Sequence, residues 1–309
     1  MMTKIYPPLL MHRLAQVMAH LVVAVIALVV IGGATRVMEA GLACPDWPLC
    51  FGVFLPGRQM NLQVFLEWFH RLDAFIVGMA MLVTMGVTIV RRQRLPVWLP
   101  PICFALVCLV AMQGVLGALT VVRLLPSAIV TSHLALALTL VVVLSALTQR
   151  LLNPVMGWGP LCWRVLSVGA LLAVVGQCLL GGRMATSWAA QRCLAGGDAC
   201  RWLALHRFGA MPAAGLVVLF VVVALLVGGW SRSQWPGLFG AAVLVVVQAA
   251  LGVFTLRLGL SEPLVTVAHQ AVAALLVAVL AALAVRGPSL DVVQAPDLSD
   301  SVVLDACHG

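Results

Sequence analysis

The sequence predicts an all-α integral membrane protein of eight transmembrane helices, built as two tandem four-helix bundles. Three observations predict it: the composition, a set of long apolar runs, and an internal repeat. Of 309 residues, 63% are hydrophobic and 9% charged, and the mean hydropathy is +1.13, outside the range of a soluble globular chain. Runs long enough to cross ~30 Å of hydrocarbon lie near residues 14–34, 68–90, 97–121, 126–148, 163–182, 203–228, 236–256 and 263–285. The first run ends in GGATRV rather than in a small-residue cleavage site followed by polar chain, so it reads as a retained helix and not as a signal peptide.

The repeat comes from aligning the chain with itself. Cys44 and Cys193 stand 149 residues apart, as do Gly32 and Gly181, whereas His70 and His206, like His133 and His269, stand 136 apart. The first outer loop is therefore the longer one. QGVLGALTVVRLLPSAIVTSH at 113–133 also matches QAALGVFTLRLGLSEPLVTVAH at 248–269. Each unit has an even number of spans, so both face the same way, as a parallel repeat about an axis along the membrane normal. The expected divisions are an N-terminal half at 1–148, a cytoplasmic connector at 149–162, a C-terminal half at 163–286 and a polar disordered tail at 287–309.

A formal charge of +8 would suggest nucleic acid in a soluble protein. Here the basic residues are dispersed over loops and helix ends, so membrane topology is the better reading and no nucleic-acid partner is expected. The basic residues divide evenly between the two sides, and the dense RRQR cluster at 91–94 decides for a cytoplasmic N-terminus. The expected location is a bacterial inner membrane, with the histidine sites toward the outer face.

Two close cysteine pairs then share that outer side. Cys44 with Cys50, and Cys193 with Cys200, are expected to form disulfides in an oxidising compartment. A thiol metal site or redox relay is the rival reading, although CPDWPLC has the wrong spacing for a CxxC centre.

His70, His133, His206 and His269 fall on the second, fourth, sixth and eighth spans at one common depth from the outer end. A lone histidine there would be a packed side chain bonded to a neighbouring helix. Four in register point to ligation, because imidazole in hydrocarbon is costly and usually functional. Neutral imidazole binds iron, copper and zinc alike, and two histidines on facing helices can grip one haem iron from opposite sides. Gly32, Gly33, Gly114, Gly117, Gly181, Gly182 and Gly252 would leave room for a flat ring, or simply allow close helix packing. Arg71 and Arg207 follow two of the histidines directly, where a guanidinium can pair with haem propionates or snorkel to the surface.

Together GGATRVMEAGLACPDWPLC, EWFHR, QGVLGALTVV with LLPSAIVTSHL, and the second-half HR, LGVFT and PLVTVAHQ resemble the haem A synthases of the cytochrome oxidase assembly pathway. The resemblance spans roughly residues 12–285. It implies an iron-dependent membrane oxidoreductase that converts the substrate haem O to haem A by oxidising a ring methyl to a formyl group. It also implies a haem b cofactor on His206 and His269, and the substrate in the N-terminal half near His70 and His133. The implied partners are membrane lipid, an electron donor that no residue identifies, haem O synthase and other cytochrome oxidase assembly proteins. Glu67 lies three residues before His70, where the second half has Leu203. It is the expected catalytic carboxylate, moving protons that methyl oxidation requires; the alternative is a carboxylate paired with Arg71 or Arg36. The rival functions are a di-haem electron carrier and a haem transporter or chaperone.

Overall fold

In a computed structural model, residues 7–153, 161–187, 193, 200–226 and 234–286 are described. The centre of the expected connector and the whole of the expected tail lie outside the described residues. Among the described residues, eight helices are long and apolar enough to cross a membrane: α1 (Pro8–Val37), α2 (Leu62–Val90), α3 (Leu99–Val122), α4 (Ser127–Leu152), α5 (Leu161–Thr186), α6 (Arg201–Leu226), α7 (Trp235–Arg257) and α8 (Pro263–Ala284). The shortest still rises ~33 Å at 1.5 Å per residue. Their outward faces carry Phe75, Val83, Val90, Phe104, Val243 and Leu264, all more than half exposed. In water such apolar surface would drive association; facing lipid it is stable. The chain is an all-α, multi-pass integral membrane protein.

Helix ends follow local chemistry. Pro8, Pro263 and Pro236 occupy first-turn positions, where a missing N–H costs nothing and φ is already helical. Helix α2 begins six residues before its apolar run because Asn61 caps it, accepting the Val64 N–H at 2.9 Å. EWFHR consequently lies inside α2 rather than at its entry. Helix α4 continues through Leu152, and α5 starts at Leu161, so the described ends of the connector are helical. Helices α1, α3 and α7 stop in one way: Glu39, Leu124 and Gly259 adopt positive φ, and the next residue's N–H returns to the carbonyl of Thr35, Thr120 or Thr255.

Helix α1 packs on α2 and α4, and α3 packs on the same two. Helix α5 packs on α6 and α8, and α7 packs on those two. Between these groups α4 meets α8 and α5, and α1 meets α8. Two close approaches mark these seams. A Cβ at Gly33 would fall 1.6 Å from Gln270 Oε1, and one at Gly182 would fall 2.7 Å from Leu134 Cδ2. In lipid, van der Waals fit of this kind holds helices together.

The tightly packed core sits at the end of the bundle that carries the N-terminus. It takes Met11, Met18 and Val25 from the first part of α1, Leu144 and Leu151 from the last part of α4, and equivalent stretches of the other helices. Trp163 locks this end, with its ring edge-on to Phe220 at 4.7 Å and its Nε1–H donating to the Leu283 carbonyl at 3.2 Å. The opposite end holds the Cys44–Cys50 loop, glycines and histidines.

Candidate functional site

The four histidines sit five to eight residues into their helices, ~7–12 Å from the loop end at 1.5 Å per residue. Each imidazole faces a glycine on a neighbouring helix. A Cβ would lie 3.1 Å from His70 Cε1 at Gly32, 3.4 Å from His133 Cε1 at Gly117, 2.8 Å from His206 Cε1 at Gly181, and 3.0 Å from His269 Cε1 at Gly252. At Gly181 a side chain would force the ring to move, at Gly32 and Gly252 it would crowd it, and at Gly117 it would make ordinary contact. His206 and His269 are perpendicular, with ring centroids 6.5 Å apart. His70 and His133 lie within electrostatic reach of each other.

The two halves differ in how the rings are held. His269 Nδ1 donates to the main-chain carbonyl of Gln248 at 3.2 Å, and the Gln177 amide lies 3.0 Å from His206 Nδ1. By contrast, Nδ1 of His70 and of His133 is buried without a hydrogen-bond partner among the described residues. Gln113 reaches only the His133 carbonyl, at 3.0 Å. Among the described residues, no three His, Cys, Asp or Glu side chains converge, so pairs of imidazoles, rather than a tetrahedral cage, are the donor sets on offer. They fit a flat metal-centred ring: two metal–nitrogen bonds of roughly 2 Å each, with half of each imidazole added, come to about the 6.5 Å between His206 and His269.

Over His70 the first loop is folded around one guanidinium. Arg71 donates to the carbonyls of Asp46 at 2.6 Å and Cys44 at 3.4 Å, to the Leu49 carbonyl, and to Glu67 Oε1 at 2.5 Å. Glu67 is 5% exposed, and its other oxygen accepts the Cys44 N–H at 2.8 Å. Cys44 and Cys50 are disulfide-bonded, with Cα atoms 4.8 Å apart. The chain then turns at Phe51 and Gly52, both at positive φ, so that Cys50 and Val53 pair. Asp46 steadies that turn by accepting the N–H of Gly52 at 2.8 Å and of Phe51 at 2.6 Å. These backbone donors, Gly52 first, hold its carboxyl below the ordinary aspartate range. The tie is therefore complete above that range and lost as pH falls through the lowered value.

The expected site residues thus fall at one end of the helices. Glu67 pairs with Arg71, whereas Arg36 donates to the Ala185 carbonyl across the seam. Arg207 is exposed, and Leu203, at the position matching Glu67, is buried. Cys193 and Cys200 are bonded, with Cα atoms 5.4 Å apart.

Residues 15–282 match the cytochrome oxidase assembly protein family (COX15-CtaA). The chain belongs to this family. A protein of Sphingopyxis alaskensis named Heme A synthase is 30% identical over 319 residues, covering 84% of this chain and 87% of its own length. One of the same name from Caulobacter vibrioides is 32% identical over 328 residues, covering 85% and 92%, and one from Rhizorhabdus wittichii is 30% identical over 335 residues, covering 91% and 94%.

Sequence reasoning singled out the histidines but not the glutamines that border them in this family member. Gln113 and Gln248 are visible in the repeat, each twenty or so residues before a histidine. For Gln177 the available signal was an amide within an apolar span, one turn before Gly181.

Two predictions follow from this geometry. Gly181→Ala overpacks His206 and lowers stability in detergent by roughly 1–3 kcal/mol, whereas Gly117→Ala, which meets His133 at ordinary van der Waals distance, stays close to wild type; thermal unfolding compares them. Arg71→Met removes the cation from a nearly buried carboxylate and costs on the order of 3 kcal/mol. It also exposes the Cys44–Cys50 bond, which should be reduced faster than wild type when a thiol-trapping time course is followed by mass spectrometry.

Proposed function

We propose that the chain is a haem A synthase: it oxidises one ring methyl of haem O to a formyl group, giving haem A, with haem b as its resident cofactor. Relatives covering most of the chain carry that name. The observation that carries the reading is an asymmetric pair of imidazole sites. Both halves offer two glycine-faced histidines and a disulfide, yet among the described residues only the N-terminal half sets a buried carboxylate beside its histidines, bonded to the Cys44 N–H of the Cys44–Cys50 loop.

His206 and His269 hold the haem b iron. The hydrogen bond from His269 Nδ1 to a main-chain carbonyl fixes the ring and puts the lone pair on Nε2, where the Gln248 amide N–H donates at 3.3 Å and would give way to a metal. Haem b, when bound, supplies one-electron transfer. Arg207 serves its propionates at the surface. His70 and His133 face the substrate's iron, and their Nδ1 atoms have no bonds to lock the rings, which suits a group that must leave as product. Two successive two-electron oxidations, each adding one hydroxyl group with oxygen and oxidising equivalents drawn from outside the chain, carry the methyl through an alcohol to a hydrated aldehyde, which loses water. Glu67 takes up and returns protons in these steps, and Arg71 holds both Glu67 and the loop in place over the substrate.

The same reading includes a parallel repeat of two four-helix halves, 1–148 and 163–286. Its support is the left-handed turn that closes α3 at Leu124 and Leu125 and recurs after α7 at Gly259 and Leu260, with equivalent bonds to Thr120 and Thr255. The cytoplasmic N-terminus is supported by Arg91, Arg92 and Arg94 at the end opposite the disulfides.

The test is extraction of haems from a host that makes haem O, with and without this chain. Wild type should yield haem A. His206→Ala and His269→Ala should lose the b-type spectrum of the purified protein. His70→Ala and His133→Ala should keep much of it and make no haem A. Glu67→Gln, checked to retain its Cys44–Cys50 bond, should accumulate hydroxylated haem or leave haem O. Unchanged haem O beside two b-type haems per chain would make the protein an electron carrier instead, and equal loss of spectrum from all four histidine variants would remove the division between halves.

A further inference from the structure

A second polar cluster lies away from the imidazoles, where α4, α5 and α6 meet at the loop end. Arg183 donates to Ser127 Oγ at 2.9 Å, and its guanidinium stands 5.5 Å from the centre of the Trp202 ring. Ser127 is held in turn by Thr186 at 2.7 Å. No carboxylate among the described residues pairs with Arg183. A fixed cation beside an indole, at the depth where a helix leaves the hydrocarbon, is the arrangement that receives an anionic group at the bilayer interface.

A groove of about 610 Å³ runs inward from this cluster between α5 and α6, past Leu180 and Gly176 to Leu216. Apart from Arg183, Gln177 and Thr131, its walls are apolar or glycine. Gly176 is exposed, and nothing lies within 4 Å of a Cβ built there, so the groove opens sideways toward lipid. From Arg183 to Ala173 the wall follows α5 for ten residues, ~15 Å of rise, which is about one leaflet of a ~30 Å hydrocarbon core. Charge at the interface and an apolar channel one leaflet deep describe a single molecule: a phosphate-headed lipid with one acyl chain lying along the seam.

We propose that Arg183, Trp202 and Ser127 bind the headgroup of one anionic phospholipid whose acyl chain fills the groove between α5 and α6. The site includes no imidazole, touches the pair only through Gln177, which lines the groove and donates to His206, and takes its ligand from the leaflet at the loop end. By lying beside the seam where α4 of one helix group meets α5 of the other, the lipid ties the two groups together.

The experiment purifies the full chain in a neutral detergent, counts retained phospholipid by native mass spectrometry, and measures thermal stability in nanodiscs of phosphatidylglycerol against phosphatidylcholine. Wild type should retain one anionic phospholipid per chain and be more stable in phosphatidylglycerol. Arg183→Gln should weaken retention about fivefold, the factor one basic residue contributes at an anionic surface, and abolish the difference between lipids. Gly176→Leu keeps the cation but fills the channel, and should lose the lipid as well. Wild type without retained anionic phospholipid, equal stability in the two lipids, or retention unchanged in both variants would overturn the proposal. Protection by inorganic phosphate alone, as strong as by phosphatidylglycerol, would overturn it too, because the groove would then contribute nothing.

Discussion

Imidazole against glycine, four times at one end of a helical membrane protein, is the constraint on which the rest of this structure depends. Gly32, Gly181 and Gly252 sit where a side chain would collide with, or crowd, His70, His206 or His269, and Gly117 lies in van der Waals reach of His133. A bundle that gives up side chains at one end must find its rigidity elsewhere. It does so at the other end, where α1, α4, α6 and α8 bury Met18, Leu144, Phe220 and Leu280 completely or nearly so. Firm packing at one end lets the opposite end carry buried polar rings and room beside them, because lipid offers no competing hydrogen bonds and van der Waals fit decides which helix faces meet.

On that common plan the halves diverge through a few side chains. Leu203 replaces Glu67, and with it goes the partner that lets Arg71 gather the carbonyls of Cys44, Asp46 and Leu49. Nδ1 is engaged at His206 and His269 and unpartnered at His70 and His133. A ring whose Nδ1–H is donated, as at His269, is a firmer ligand than one free to turn; His206 Nδ1 instead accepts from the Gln177 amide. In the proposed function one half keeps the cofactor, and the other, covered by its clamped loop, admits the substrate and works on it. The halves also reach into each other: the residues after His133 and His269, Leu134 and Gln270, enter the spaces left by Gly182 and Gly33. Helices α4 and α8 are therefore each seated by the other half.

Much of this was legible in the sequence because periodicity and spacing record it. Eight apolar runs became eight helices, four histidines at matched offsets fell at one level, and both cysteine pairs closed. The earlier start of α2 was not legible, since a cap at Asn61 competes with an apolar pattern that begins later. Arg71 read as a propionate partner from its place beside His70; its bonds to loop carbonyls depend on a loop path that no side-chain pattern encodes. The left-handed Leu124 and Leu125 were also hidden, because leucine gives no turn signal. Gly33 and Gln270 belong to different halves, and their approach of helix against helix has no trace in local sequence.

The central claim is that the two imidazole pairs do different work, one keeping its iron and one exchanging it. Locating iron by anomalous scattering in crystals of the purified protein tests this most directly, before and after haem O is added. The account predicts iron between His206 and His269 at once, and iron beside His70 and His133 only after addition. Iron found first at His70 and His133, or retained equally at both pairs, would contradict it.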